Sequence, residues 1–242
     1  MNNYIVIAII SMIAGLTQGI TGFGGGVILM MILPMFYDVI TSAGISSAIC
    51  IVLCFTLAYH YRKSINYKNI GLSNILYLSA SSLSILIGKN INQNIMKLYF
   101  GIFLIILSIY FIFIAKDIKI KLTSFISMFC ILVSGLCDGL FGIGGPLMVI
   151  YYLNKTQTTE EYLGTIQAFF LINAIYTTLF RIYNHILLVE HIPIIVIGMI
   201  GIMTGGKLAT QIVDKLNGEL LKKLTYVLIG ICGLTNIIQV IL

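Results

Sequence analysis

Six apolar runs of bilayer length dominate this chain, at roughly Ala43–Tyr61, Ile70–Gly88, Leu98–Ala115, Tyr162–Phe180, Ile192–Ile212 and Leu220–Leu242. Each approaches the ~20 residues a helix needs to cross ~30 Å of hydrocarbon. Backbone groups facing lipid need partners within their own segment, so these runs are expected to be helices. The weak alternation of a membrane barrel is absent. Composition closes the question of solubility. Hydrophobic residues make up 59% of the 242 and charged ones 9%, against about 25% charged in a soluble domain. A soluble enzyme, a disordered chain and a secreted disulfide scaffold are thereby excluded. The segment MNNYIVIAII has no basic n-region and no small-residue cleavage site, and is expected to remain as the first membrane element.

Two further runs are too long for a simple span and are cut by glycine. Tyr4–Tyr37 would be about 51 Å as one helix, and Leu122–Leu153 about 48 Å. GLTQGITGFGGGVILM starts at Gly15 and GLCDGLFGIGGPLMVI at Gly135, with six identities at a constant offset of 120. This is one motif used twice, half a chain apart. It predicts two repeats within one membrane domain, 1–118 and 119–242, divided at the charged stretch Lys116, Asp117, Lys119, Lys121.

Basic residues choose the topology. If each cut run crossed once, the two sides would hold seven Lys and Arg each. If each were a re-entrant hairpin, eleven would collect inside: Arg62, Lys63, Lys68, Lys116, Lys119, Lys121, Lys155, Lys207, Lys215, Lys222 and Lys223. Lys89, Lys97 and Arg181 would lie outside. The second distribution obeys the positive-inside rule. The arms Tyr4–Thr17 and Val27–Tyr37, about 21 Å and 16 Å long, also read as too short to span. The predicted fold is all-α and polytopic: two inverted repeats, each a broken helical hairpin plus three transmembrane helices.

Glycine at membrane depth is tolerated where it lines a cavity or is covered by protein. It admits left-handed backbone and close approach of a ligand. A new helix should begin after each break, at Val27 and at Pro146, which suits a first helical position. First-turn N–H groups and the helix dipole together make an anion site. Two tips meeting near the midplane is the arrangement of a secondary transporter with broken helices. Gly24, Gly25, Gly26, Gly144, Gly145 and Pro146 are thus candidate substrate-binding positions. The small-x-x-x-small patterns Gly15/Gly19 and Gly135/Gly139 equally suit close helix packing.

Polar residues in apolar surroundings complete the candidate set. Asp138 is the acidic residue deep within an apolar run, where a charge costs about 2.5–3.5 kcal/mol. It is the candidate for a coupling proton; backbone capping is the competing role. Thr21 and Gln18 can donate to an anion from the first tip or cap the hairpin. Ser46 and Ser47 stand opposite Thr165 and Gln167 in the repeat, with Asn173 further along. Gln167 and Asn173 suit a cavity wall or an interhelical hydrogen bond. Arg181, at a span end, reads as snorkelling to the interface, with contact to substrate as the alternative. Cys50 and Cys54 share a helix face and read as packing. No metal-ligand or nucleotide motif is present, so no metal, cofactor or nucleic-acid partner is expected. Nor is there HExxH or GxSxG, and an enzyme is not expected.

Paired GxGGG-type breaks half a chain apart in a hydrophobic chain of 242 residues resemble the sulfite exporter TauE/SafE (TSUP) family. The resemblance covers essentially the whole chain, and its specific part is Gly15–Gly26 and Gly135–Pro146. It implies transport of sulfite, sulfoacetate or related organosulfur and small organic anions at the plasma membrane. Many members have a proline about a turn beyond each glycine run. Here Met30 and Met31 stand near that place, with Pro34 later, and no proline follows Pro146 closely. The reading is therefore a multi-pass secondary transporter of a small anion in a lipid bilayer, with an anion channel or a non-transporting membrane subunit as the alternative. Its hydrophobic faces permit a homodimer.

Overall fold

A computed structural model describes residues 2–110, 123–212, 233–234 and 236–238. The expected span Leu220–Leu242, the repeat boundary at Lys116–Lys121, and Lys215, Lys222 and Lys223 fall wholly or mostly outside the described residues. Nine α-helices stand among those described in full. They are α1 (Asn2–Thr21), α2 (Gly25–Ile32), α3 (Val39–His60), α4 (Tyr67–Gly88), α5 (Gln93–Ile109), α6 (Ser124–Phe141), α7 (Gly145–Leu153), α8 (Thr159–Tyr183) and α9 (Ile192–Ile212). Six of them, α1, α3, α4, α6, α8 and α9, are long and apolar enough to cross a membrane. Their outward faces carry Leu72, Ile75, Phe125 and Ile200, each well over half exposed, a surface suited to lipid rather than water.

The breaks lie at 22–24 and 142–144, but the first arms are longer than expected. Helix α1 has 20 residues and α6 has 18, about 30 Å and 27 Å. Gly15, Gly19, Gly135 and Gly139 do not interrupt them. These glycines sit inside helix because a neighbour presses on them. A Cβ on Gly15 would overlap the carbonyl of Ile202, and one on Gly19 would lie 2.6 Å from Ala209 Cβ. A Cβ on Gly135 would lie 2.5 Å from the Tyr77 carbonyl oxygen, and one on Gly139 would overlap Ser84. Small residues let the two backbones approach, as in tight membrane helix pairs. Arm length therefore does not separate a hairpin from a crossing.

Helix direction does. Along α1, Ala8, Met12 and Gly19 meet Gly201, Gly205 and Ala209 of α9 in ascending order, so the two run parallel. Along α3, Ile49 and Leu53 meet Gly198 and Gly206, so α3 runs with α9 as well. Helix α2 must then turn back between α1 and α3. The Tyr37 ring, just before α3, packs edge-on to His191, just before α9, at 5.5 Å. The second half behaves alike. Gly135 and Gly139 of α6 follow Tyr77 and Ser84 of α4 in order, and Asn66 and Asn74 pair with Thr165 and Asn173 of α8. Helices α3 and α8 cross the bundle in opposite directions, with Gly44 against Arg181 and Gly164 against Tyr61.

The pairings are exchanged by the sequence offset: α1 with α9 matches α6 with α4, and α3 with α9 matches α8 with α4. Arg62, Lys63, Lys68 and Lys155 gather at one end, where Asn69 donates to the Lys155 carbonyl oxygen (3.1 Å). Lys89 lies at the other end and donates to Asn184 (3.0 Å).

Candidate functional site

The two breaks touch. A Cβ on Gly26 would lie 3.1 Å from the Gly142 carbonyl oxygen, and one on Gly145 would lie 3.8 Å from Phe23 Cβ. Gly22, Gly24 and Gly142 hold positive φ of 80°, 97° and 64°, angles that cost an L-residue with a side chain roughly 1–2 kcal/mol. That is the local reason for glycine at these positions.

The new helices begin at Gly25 and Gly145, earlier than Val27 and Pro146, and Pro146 is the second residue of its helix. Ile28 N–H to Gly24 O (3.1 Å) is the hydrogen bond that opens α2. The N–H groups of Gly25, Gly26 and Val27 precede it, and no side chain caps Gly24. Gly144 likewise has no side-chain cap. Pro146 brings no N–H of its own, so α7 offers fewer donors.

Between the tips lies a cavity of about 80 Å³, bordered by α3, α4, α6 and α8. A water needs ~10–15 Å³ on this measure, and drug-sized ligands occupy roughly 300–1,000 Å³. The space suits several waters or one small polyatomic ion. Of the predicted residues, Gln18, Gly24, Gly26, Asp138, Gly144, Gly145 and Asn173 line it.

Gly25, Thr21, Gln167 and Pro146 lie elsewhere. Gly25 makes room for Gln18, whose Oε1 a Cβ there would overlap. Thr21 does the capping work: its hydroxyl lies 2.6 Å from the Phe23 carbonyl oxygen and 2.8 Å from that of Thr17. Gln167 ties the first tip to α8. Its Nε2 donates to Gly22 O (2.6 Å), and its Oε1 accepts from Gln18 Nε2 (3.2 Å). Pro146 lines a separate apolar cavity of about 320 Å³ behind the second tip, beside Phe103, Leu107 and Cys137.

Asn173 donates to Asn74 Oδ1 and to Phe169 O, both at 2.7 Å. Its own buried Oδ1 has no partner among the described residues. Asp138 lines the cavity with Tyr77, and Ser81 Oγ lies 3.5 Å from its Oδ2.

The structure goes beyond the sequence reading at three points. Tyr77 walls the cavity, and a Cβ on Gly144 would overlap its hydroxyl; a tyrosine in mid-span gives no signal of this. Cys50 and Cys54 line the cavity as well as packing α3. Arg181 does not snorkel. It is wholly buried, and its Nη2 donates to the carbonyl oxygens of Asp138 (3.1 Å) and Gly139 (3.0 Å). The signal was available: a lone basic residue joined to an apolar run is a functional candidate by default. Among the described residues no group of His, Cys, Asp and Glu could hold a metal ion.

The model of the sulfite exporter TauE/SafE family matches residues 7–235. The chain belongs to that family. It is a multi-pass membrane protein of a transporter family. "Probable membrane transporter protein YunE" of Bacillus subtilis (strain 168) is 25% identical over 192 residues, covering 62% of this chain and 69% of the relative. "Probable membrane transporter protein MJ0441" of Methanocaldococcus jannaschii is 29% identical over 162 residues, covering 60% of this chain and 59% of the relative. The match thus spans about three fifths of the archaeal relative's length. No solved structure matches.

Proposed function

We propose that this TauE/SafE protein is a secondary transporter of a small anion of the sulfite or sulfonate type, in the cell membrane. The observation that carries the proposal is the contact of the two glycine tips around a cavity sized for a small ion. Uncapped N–H groups at the start of α2 and the positive ends of two helix dipoles favour negative charge there. Gln18 and Asn173 shape the wall, and Gln167 fixes the first tip. Asp138 is the coupling-proton carrier, because an anion beside an ionised carboxylate is repelled while protonation removes the repulsion.

The exchanged helix pairings support two inverted repeats, 1–118 and 119–242. Movement of one repeat's hairpin against the other opens the cavity to alternate sides. The lysine-rich end around Arg62, Lys63, Lys68 and Lys155 is the cytoplasmic one. The test is flux of sulfite and of sulfonates into proteoliposomes. Uptake that saturates and shows countertransport supports a carrier. Non-saturating flux makes the protein a channel, and no flux of any sulfur oxyanion or sulfonate overturns the proposal.

A further inference from the structure

Arg181 is a cation buried one layer behind the cavity. Asn173, Thr177 and Arg181 follow at four-residue intervals on one face of α8, and Asn173 forms cavity wall. Gly44 on α3 makes the space, since a Cβ there would lie 2.9 Å from Arg181 Cδ. The chain beyond α8 folds back over it: Ile186 and Leu187 donate to the Arg181 carbonyl oxygen (2.9 and 3.3 Å) and are themselves buried.

Among the described residues only Nη2 of the guanidinium is used, on the last-turn carbonyls of α6. Nε and Nη1 have no hydrogen-bond partner among the described residues. Leaving charged donors unpaired in a buried site is costly. They stand ready for an acceptor that another state of the cycle brings to them. The acidic residue beside them is Asp138, whose main-chain oxygen Arg181 already holds. The two side chains form no ion pair within 4 Å here. Of the other groups facing Asp138, Tyr77 and Ser81 come from α4, Cys50 from α3 and Cys137 from α6 itself. None of these brings a second positive charge. Helices α2 and α7 contribute glycine backbone and Val27 to the wall.

We propose that Arg181 is the internal cation for which the Asp138 carboxylate and the transported anion compete. With Asp138 protonated, the field of Arg181 is free to offset the anion in the cavity. With Asp138 ionised, the carboxylate closes on Nε and Nη1, and the anion loses its counter-charge. Anion and proton then bind together and leave together. Arg181 acts through Asp138 and the second tip, and so is a positioning residue. The idea rests on the anion-transport reading above and adds to it the origin of coupling.

The experiment is binding of methanesulfonate, whose single charge is fixed across the range, to the full-length protein in nanodiscs. Affinity is measured between about pH 5 and about pH 8.5. The wild type is expected to bind about 10-fold or more weakly at the upper pH. Asp138→Asn is expected to bind as tightly as the acid form at every pH. Arg181→Gln is expected to lose about 10-fold or more at low pH, and Arg181→Lys to recover most of that loss. Since Arg181→Gln also removes two carbonyl contacts and threatens folding, Arg181→Lys and Asp138→Asn carry the decision. A pH dependence unchanged in Asp138→Asn overturns the inference. So does Arg181→Gln folding normally with wild-type affinity and pH profile, or Arg181→Lys folding normally yet binding no better than Arg181→Gln, and in both cases the transport reading stands. A folded wild type that binds neither methanesulfonate nor sulfite at any pH overturns both.

Discussion

Replacing Gly24 by Ala isolates what the backbone of the first tip contributes. Gly24 holds φ 97° and ψ −10°, a left-handed conformation immediately before α2. The nearest atom to an added Cβ is Thr17 Cγ2 at 3.6 Å, an ordinary contact. The methyl group therefore brings no collision, only strain of about 1–2 kcal/mol. If the tip relaxes toward negative φ, the uncapped start of α2, where Gly26 and Val27 border the cavity, is displaced. A penalty of that size changes a conformational ratio by about 5- to 30-fold. Apparent affinity falls by the same factor, because only the competent fraction binds.

The control is Gly71→Ala. It lies in the interior of α4 with nothing within 4 Å of an added Cβ, and should be neutral or stabilising by roughly 0.5–1 kcal/mol. The assay is a thermal-shift titration of purified protein with sulfite, since a ligand of the folded state raises the midpoint by mass action. Binding by Gly24→Ala within twofold of wild type, or an equal loss in Gly71→Ala, refutes the claim that tip geometry holds the anion.

Other perturbations separate packing from binding. Gly135→Ala sets a methyl group against the Tyr77 carbonyl oxygen, where backbone must move. Overpacking of this kind costs about 1–3 kcal/mol, so a lowered unfolding temperature is expected, and an unchanged one contradicts the packing of α6 on α4. Gln167→Leu removes the bond to Gly22 O and the acceptor of Gln18. Interhelical bonds in membranes contribute ~0.6–2 kcal/mol, so a small stability loss with a larger loss of sulfite affinity is expected; equal loss in both makes Gln167 purely structural. Single cysteines at Asp38 and Lys89 should label from one side of the membrane, and those at Lys63 and Lys155 from the other. Asp38 and Lys89 labelling from opposite sides breaks the hairpin.

Local physics made much of this protein legible before any coordinates. Hydrocarbon thickness and helical rise relate run length to spanning helices, and α3, α4, α8 and α9 fall on the expected runs. Glycine's freedom of φ marked two breaks, expected between Thr17 and Val27 and before Pro146, and found at 22–24 and 142–144. Where the reason for a glycine was not local, the sequence left a break and a packing contact both open. Gly15 and Gly139 resemble breaks in the sequence, yet they stay helical because a distant helix lies against them.

Tertiary structure alone decided which polar groups share a space. Gln18 and Gln167 are 149 residues apart and hydrogen-bonded, while Thr21, three residues from Gln18, turns to its own backbone. Arg181 carries the lesson furthest. Hydropathy placed it at a span end, where a long cationic side chain ordinarily reaches water. Gly44 opens a space on α3, residues 186–187 close over it, and the end of α6 supplies its carbonyl partners. Run length and backbone freedom are properties of consecutive residues and can be read along the chain. Burial of a charge depends on surfaces brought by three separate segments, so only their packing could reveal it.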